Sequence, residues 1–299
     1  MTFALPAPIE ILRPRQWLKN GIVMAGFLFA LADKGQSIEI AAASARCLAA
    51  LALFCGVSSA VYIMNDLHDA EEDRAHPEKK TRPIASGRLG ARVAVAECAA
   101  LLAAAGLIAV LYTGHEFAKV LGAYFLMQTA YTFALKRLVL VDVITIAAGF
   151  VLRVYAGTVA AGVTASVWLL ICTFAVALFI ALCKRYNERI TLGDGAAKHR
   201  KVLGKYEPRL LSRIITATAA LTIICYAIYT LSGATVEKFG HRRLVATVPF
   251  VMFGMFRYAY LVFRTGKGGH PERVVTTDIP TIVNFLLYAA VCVFVLAIK

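Results

Sequence analysis

Nine long apolar segments limit what this chain can fold into more than any other feature of its sequence. A hydrocarbon core of about 30 Å is crossed by a helix of about 20 apolar residues, and each segment is close to that length. The first is short and is predicted to be tilted or partly interfacial. The segments lie at residues 17–33, 41–64, 92–112, 116–135, 139–160, 166–183, 209–232, 243–263 and 279–298.

The composition agrees with this pattern. Of the 299 residues, 60% are apolar and 17% are charged, and the mean hydropathy is +0.70. An ordinary soluble domain is less apolar than this. Because no linker or second domain is visible, the sequence predicts one all-α, polytopic membrane domain that covers residues 1–299.

The Lys and Arg residues orient the predicted helices. With a cytoplasmic N-terminus, most of the 32 Lys and Arg residues fall at the inner ends and loops, as the positive-inside rule requires. This predicts a multi-pass protein of the inner (cytoplasmic) membrane. The net charge of +14 then follows mainly from topology and from attraction to anionic lipid, and no nucleic acid partner is predicted.

Cysteine and histidine give no sign of a metal or redox centre. The seven cysteines lie in or beside the predicted spans without a C-x-x-C motif, so they are predicted to pack as small apolar side chains. The six histidines show no H-x-x-x-H spacing, so no zinc site is predicted.

A charged segment after the second apolar stretch carries the strongest functional signal. Asp66, Asp69 and Asp73 are spaced for one face of a continuing helix, over about 10 Å. Carboxylates stacked in this way repel each other unless a cation lies between them. A Mg²⁺ ion held there could bind a diphosphate. The polar neighbours of the motif are Asn65, Lys79 and Arg82. The segment thus places carboxylates that can hold a metal ion beside basic residues that can bind phosphate. This combination favours a phosphate-transfer site over the alternative, a solvated acidic helix end.

Further polar residues fall on the same, cytoplasmic side of the predicted topology. Arg153 lies in the middle of the fifth segment, where a charge is costly and usually faces a polar cavity. Lys136 follows an apolar run, so the positive-inside rule explains its position as well as phosphate binding does. Lys184 and Glu188 are spaced for an ion pair at a helix end, worth about 0.3–0.5 kcal/mol, which is the alternative to substrate binding. The candidates outside the acidic segment are Arg15, Lys19, Tyr131, Lys136, Asp142, Arg153, Lys184, Arg185, Tyr186 and Glu188.

These residues carry a family resemblance. The run Asn65-Asp66-x-x-Asp69-x-x-x-Asp73, followed by His76-Pro77 and then RPIASG at 82–87, resembles the first aspartate motif of the UbiA prenyltransferase superfamily. The resemblance extends over the whole chain. It implies a bundle of about nine transmembrane helices with a polar cavity that faces the cytoplasm.

Within the superfamily, the chain is most similar to the branch of decaprenyl-phosphate phosphoribosyltransferases. The similarity rests on LRPRQWLKN at 12–20, the Lys79/Arg82 pattern, YTFALK at 131–136, GFVLRVYAG at 149–157 and KRYNE at 184–188. It implies transfer of 5-phosphoribose from 5-phosphoribosyl 1-diphosphate to a polyprenyl phosphate, with release of diphosphate. The product of that branch feeds cell-wall or other glycan synthesis, such as arabinan.

One departure from the wider superfamily bears on the reaction. Aromatic prenyltransferases of the superfamily carry a second D-x-x-x-D motif between spans six and seven, where this chain reads KRYNERITLGD at 184–194. Basic residues there replace a metal-bridged diphosphate contact with direct cation contacts. Such cations suit a donor with a 5-phosphate and an acceptor that is itself a lipid phosphate.

The resulting hypothesis assigns roles to the candidates. Mg²⁺ held by the three aspartates, with Asn65 as a further possible ligand, binds the donor diphosphate, and Lys79 and Arg82 stabilise the leaving group. The remaining candidates steer the 5-phosphate and the lipid phosphate, and which cation meets which group is left open. The alternatives are prenyl transfer to an aromatic or other acceptor, a transporter, and a non-catalytic relative. A homo-oligomer is possible.

Overall fold

Every regular element in the described part of the chain is helical. The computed structural model describes residues 5–31, 39–75, 79–193, 202–266, 269 and 271–297. The α-helices are α1 (Ala7–Ile11), α2 (Met24–Leu31), α3 (Ile40–His68), α4 (Ala70–Ala75), α5 (Ala91–Ile108), α6 (His115–Phe133), α7 (Val141–Ala161), α8 (Val167–Leu192), α9 (Pro208–Leu231), α10 (Gly233–Phe239), α11 (Val248–Tyr260), α12 (Pro271–Thr277) and α13 (Ile279–Ala297). Short 3₁₀ stretches lie at Pro14–Val23, Lys79–Thr81, Leu135–Arg137, Leu203–Lys205 and Arg243–Thr247, and π-helical turns extend α5 at Ala109–Thr113 and α11 at Leu261–Thr265.

The prediction of an all-α, multi-pass membrane protein is confirmed, whereas the count of nine spans is not. Six helices among the described residues are long and apolar enough to cross a bilayer. They are Ile40–His68, Ala91–Thr113, Val141–Ala161, Val167–Leu192, Pro208–Leu231 and Arg243–Thr265. Helices also occupy the fourth and ninth predicted segments, at His115–Phe133 and Ile279–Ala297.

The first predicted segment has a different structure from the others. It begins as a 3₁₀ stretch, Pro14–Val23, and becomes α-helical only at Met24–Leu31, and its predicted end at 32–33 lies outside the described residues. Asn20 and Gly21 are poor helix formers, which fits an irregular start.

Many large apolar side chains point away from the packed interior. Leu111, for example, is 76% exposed, and Leu126 and Val293 are similarly exposed. In a protein that spans a membrane, such side chains face lipid hydrocarbon, where their exposure carries no hydration cost.

One packing unit is drawn from Met1–Ala30, Ile38–Ala134 and Leu152–Ala165. Aromatic side chains fill its centre: Phe54 lies edge-on to Phe117, with ring centroids 6.1 Å apart, and its ring also contacts Tyr124. Cys47 and Cys98 are buried among apolar neighbours and are free thiols, which confirms the prediction of a packing role for these two cysteines.

Close helix approach within this unit depends on small residues. A Cβ atom at Gly157 would overlap the carbonyl oxygen of Val23, and one at Gly26 would overlap Thr158. Glycine at both positions lets α2 and the second half of α7 come nearer than larger residues permit, as in other membrane helix pairs.

The other unit is drawn from Leu31–Ser37, Leu135–Val151 and Ser166–Lys299. Its core contains Val143, Phe179, Leu182 and Ile215, all almost fully buried. Helices α8 and α9 pack along each other over much of their length. The prediction that the whole chain is one domain stays a prediction.

Replacement of Gly157 by alanine is expected to destabilise the protein. The added methyl group must displace the Val23 backbone, and overpacking of this kind costs about 1–3 kcal/mol. Thermal unfolding of the purified protein in detergent measures the change in stability.

Gly122→Ala is the matched control, because Gly122 is exposed on α6 and a Cβ there meets no atom within 4 Å. Its stability is expected to stay equal or to rise slightly, since alanine is the better helix former. Equal stability of the two variants would contradict the close approach.

Candidate active site

The acidic motif lies where α3 gives way to the short helix α4. The α3 helix ends at His68, Asp69 adopts a bent backbone with φ −92° and ψ 7°, and α4 begins at Ala70. The predicted uninterrupted helix is therefore wrong at Asp69, a residue type whose side chain competes with helical hydrogen bonding. The Asp69 N–H still donates to the Asn65 carbonyl at 2.9 Å, and the Asp73 N–H to the Asp69 carbonyl at 2.8 Å. The His76-Pro77 part of the motif lies outside the described residues.

Asp66 and Asp73 remain side by side across the bend. Both side chains are almost fully buried, and both accept from the same nitrogen of Arg82, Nη1, at 3.1 Å for Asp66 and 2.6 Å for Asp73. A buried carboxylate without a partner is costly, so this shared guanidinium holds the pair together. The two aspartates and Arg82 are predicted site residues that the structure brings into contact.

The donor set at this point fits a divalent cation. Two carboxylates that converge on one cationic nitrogen offer hard oxygen ligands, which Mg²⁺ prefers. Asp69 is only partly buried, and among the described residues no three His, Cys, Asp or Glu side chains are grouped closely enough to hold one metal ion. The assignment of all three aspartates as metal ligands, with Asn65 beside them, stays a prediction.

Two further cations reach the aspartate pair. Arg13 Nη2 donates to Asp66 Oδ1 at 2.5 Å, and Lys79 Nζ lies 3.8 Å from Asp73 Oδ1. Lys79 was predicted, whereas Arg13 was missed. The sequence signal for Arg13 was its position in LRPRQWLKN, next to the predicted Arg15. The cluster therefore contains two acids and three bases, enough positive charge to receive an anion as well as to neutralise the acids.

The N-terminal segment that supplies Arg13 is fixed onto α3. Trp17 Nε1 donates to Ser59 Oγ at 3.0 Å, and Ser59 Oγ donates to the Leu12 carbonyl at 2.8 Å. The other predicted cations of this segment differ in position: Arg15 is exposed, and Lys19 Nζ donates to Gln16 Oε1 at 2.5 Å.

Arg153 forms a second polar cluster inside the same unit. Its Nε donates to Asn20 Oδ1 at 2.8 Å and its Nη2 donates to the Tyr124 hydroxyl at 2.6 Å. The guanidinium carbon also lies 4.7 Å from the centre of the Tyr124 ring, a cation–π distance. Neutral oxygens and an aromatic face thus solvate a charge in the middle of a membrane helix. Tyr124 was missed, because a phenol in an apolar run looks like an ordinary helix-packing residue.

A buried ion network dominates the polar interior of the other unit. Arg185 Nε donates to Asp142 Oδ2 at 2.8 Å, and Arg185 Nη1 donates to Glu188 Oε2 at 2.5 Å. Asp142 is fully buried and Arg185 is nearly so. The structure thus joins three predicted site residues, and it pairs Glu188 with Arg185. The alternative pair between Lys184 and Glu188 is not found among the ion pairs of the described residues.

Tyr206 completes this network and was missed by sequence reasoning. Its hydroxyl donates to Asp142 Oδ1 at 2.6 Å and accepts from the Leu140 N–H at 2.8 Å. Burial raises the pKa of Tyr206 well above its ordinary range, and the hydrogen bond to Asp142 raises it further. The phenol therefore stays protonated at physiological pH and donates a hydrogen bond to Asp142. It lies 64 residues from Asp142 along the chain, so no local pattern signals the contact.

The remaining predicted residues are partly buried side chains of the two units. Tyr131, near the end of α6, is partly buried, as are Lys136 and Lys184. Tyr186 packs edge-on against Phe263, with ring centroids 5.0 Å apart. These positions leave their predicted substrate contacts as predictions.

The comparisons with known proteins identify the family of the chain. The sequence profile of the UbiA prenyltransferase family matches residues 21–277. Two curated relatives named decaprenyl-phosphate phosphoribosyltransferase are similar along most of the chain. The protein of Corynebacterium glutamicum is 37% identical over 90% of this chain and 80% of its own length. That of Mycolicibacterium smegmatis is 34% identical over 90% of this chain and 86% of its own length.

A solved structure has the same fold. It is a UbiA homolog from Archaeoglobus fulgidus bound to GPP and Mg²⁺, which superposes with a TM-score of 0.72 at 18% identity and covers 98% of this chain and 100% of its own. At that identity the likeness concerns the fold alone.

Tyr206→Phe is expected to lower the free energy of unfolding by about 1–3 kcal/mol, because it removes a buried hydrogen bond to a carboxylate. Thermal unfolding in detergent measures the loss. Tyr112→Phe serves as the control, since Tyr112 is exposed and its variant is expected to stay within about 0.5 kcal/mol of the wild type. Equal unfolding temperatures of the two variants would show that the hydrogen bond from Tyr206 contributes no stability.

Proposed function

The chain belongs to the UbiA prenyltransferase family, and from this membership we propose that it is a polyprenyl-phosphate 5-phosphoribosyltransferase. The donor is 5-phosphoribosyl 1-diphosphate, the acceptor is a polyprenyl phosphate of the decaprenyl type, and the leaving group is diphosphate. The curated relatives support the proposal by their names and by similarity over 90% of the chain.

The observation that carries the proposal is the cluster of opposite charges around Arg82. Asp66 and Asp73 share this guanidinium, and Arg13 and Lys79 adjoin the pair. When diphosphate is the leaving group, both a divalent cation and N–H groups that donate hydrogen bonds to it are needed to stabilise its charge. The cluster contains the residues for both tasks within one small region.

We infer that Mg²⁺ is the cofactor and that Asp66 and Asp73 hold it, with Asp69 and Asn65 as further proposed ligands. When bound, the ion neutralises charge that develops on the leaving diphosphate. The presence of Mg²⁺ in a structure of the same fold supports this assignment.

The protein's own groups then bind and orient the reactants. Arg82 and Arg13 offer planar N–H pairs that match phosphate oxygens, while Lys79 acts as a point charge. As the bond from ribose C1 to the diphosphate oxygen breaks, positive charge develops at C1, and a lipid phosphate oxygen attacks the opposite face. That phosphate is already ionised at neutral pH, so the site needs no strong general base.

Other cations are proposed to bind the 5-phosphate of the donor and the phosphate of the lipid. Arg153 is the strongest of them, because its side chain is buried and held in one orientation by Asn20 and Tyr124. The remaining proposed direct contacts come from Arg15, Lys19, Tyr131, Lys136, Lys184 and Tyr186, whereas the carboxylates of Asp142 and Glu188 are proposed to act through Arg185, which they hold. Arg185 is bound by two carboxylates, so we infer that it positions neighbouring groups.

The setting follows from the same reasoning. We infer that the protein lies in the inner membrane with its active site facing the cytoplasm, where the water-soluble donor is made and where the positive loops are predicted to lie. The product, a lipid-linked phosphoribose, then suits synthesis of cell-wall arabinan or a related glycan.

A transfer assay tests the reaction. Purified protein in detergent with Mg²⁺ is incubated with ¹⁴C-labelled 5-phosphoribosyl 1-diphosphate and decaprenyl phosphate, and label in the organic phase is counted. The wild type is expected to move label into the lipid. Asp73→Asn is expected to reduce the rate by about a hundredfold, because it removes one charge at the proposed metal and diphosphate site.

Glu72→Gln is the matched control: it removes the same charge from the adjacent, exposed residue of α4, and its rate is expected to equal that of the wild type. A parallel reaction with a labelled prenyl diphosphate and an aromatic acceptor covers the alternative. Turnover of the prenyl diphosphate, with no label in the lipid from the ribose donor, would overturn the proposal.

A further inference from the structure

Arg13 occupies an unusual place beside the acidic motif. Its backbone has φ 53° and ψ 59°, the left-handed region, which costs a residue with a side chain about 1–2 kcal/mol. Among the described residues, Leu140 is the one other non-glycine residue with a positive φ. Strained backbone of this kind persists where the surrounding structure enforces it, and it often accompanies function.

The strained backbone has a clear structural consequence. The chain turns sharply between α1 and the 3₁₀ stretch, as the Arg13 N–H donates to the Glu10 carbonyl and the Gln16 N–H donates to the Arg13 carbonyl at 2.8 Å. The turn directs the guanidinium onto Asp66, 53 residues away in sequence. The same guanidinium stacks over the Tyr62 ring, 4.9 Å from its centre.

The charges around Asp66 set up a competition. Its Oδ1 atom accepts from Arg13 at 2.5 Å and from Arg82 at 3.1 Å, so Arg13 is its nearer cation. Asp66 is 3% exposed, whereas the Arg13 side chain is 25% exposed. The acid is therefore fixed in place, while the base has room on its solvent side to move.

We propose that Arg13 is an exchangeable counter-ion: it holds Asp66 while no metal is bound, and it passes from Asp66 to the donor diphosphate when the metal binds. This inference rests on the proposed function insofar as it takes Asp66 as a metal ligand and diphosphate as the leaving group. In the exchange no covalent bond forms or breaks; one ion pair is replaced by another.

The exchange has two consequences of opposite sign. Without donor, Arg13 repels a divalent cation and competes with it for Asp66, so loss of its charge tightens metal binding. With metal present, Arg13 contributes N–H donors to the diphosphate, so loss of its charge weakens diphosphate binding. A residue with only a structural role would weaken both or change neither.

Binding measurements on the full-length protein in detergent test this without any turnover. Mn²⁺ binding is titrated by electron paramagnetic resonance, and binding of inorganic diphosphate at saturating Mn²⁺ is measured by calorimetry. Arg13→Gln is expected to bind Mn²⁺ about tenfold more tightly than the wild type and diphosphate about tenfold more weakly, since the removed charge lies 2.5 Å from Asp66, the proposed metal ligand.

Two further variants separate charge from folding. Arg13→Gly removes the same charge and tolerates the left-handed backbone without strain, so it is expected to fold and to show the same pair of changes. Arg13→Lys keeps the charge and is expected to retain Mn²⁺ affinity near that of the wild type. Lys119→Gln is the matched control, because Lys119 forms an exposed ion pair with Glu116 on α6, and both of its affinities are expected to stay unchanged.

Unchanged or weaker Mn²⁺ binding in both Arg13→Gln and Arg13→Gly would overturn the exchange. Because the probes are Mn²⁺ and inorganic diphosphate, this outcome is distinct from failure of phosphoribosyl transfer. A chain that turned over a prenyl diphosphate would lose the proposed function and still show the exchange.

Discussion

Burial of carboxylates beside guanidinium groups is the interaction on which the polar interior of this protein depends. Asp66, Asp73 and Asp142 are almost completely shielded from solvent, where an unpaired charge would cost several kcal/mol. Each accepts from an arginine: Arg13 lies 53 residues from Asp66 and Arg185 lies 43 residues from Asp142, whereas Arg82 lies only nine residues from Asp73. Within each unit, the segments that carry these residues must therefore bring acid and base into contact, because separating them would leave a buried charge unmatched.

The two sets of ion pairs differ in what they permit. Around the first aspartates, Arg13 and Arg82 are each 25% exposed, so solvent and an incoming phosphate can reach them. Around Asp142, Arg185 is only 4% exposed and is held by Glu188 as well, while Tyr206 holds the second carboxylate oxygen. The first arrangement suits exchange of one ionic partner for another. The second suits a fixed support, because removing Arg185 or Asp142 leaves the other as a buried charge without its main partner.

The replacement of a second acidic motif by KRYNE has a structural counterpart. Asp142 and Glu188, the acids of that unit's network, both bind Arg185, and among the described residues no three His, Cys, Asp or Glu side chains are grouped closely enough to hold one metal ion. The positive charge of Arg153, by contrast, is bound by neutral groups that include Asn20 and Tyr124. An anionic acceptor and a donor with its own 5-phosphate fit such a distribution of charge better than a neutral aromatic acceptor does.

The sequence by itself determined the membrane class, the acidic motif and most of the cations, because apolar length and charge spacing along one helix are local properties. It failed at Asp69, where a bend replaces the expected continuous helix. Only the tertiary structure decided which cation meets which acid. Arg13 and Arg15 stand in the same short motif, yet a left-handed turn directs Arg13 onto Asp66 and Arg15 is left exposed. Likewise, Tyr206 reaches Asp142 across 64 residues. A basic or phenolic residue near a membrane boundary has the same local sequence pattern whether it orients a helix in the membrane or belongs to a binding site. Its role depends on backbone turns and on packing between segments far apart in the chain, which the local sequence does not specify.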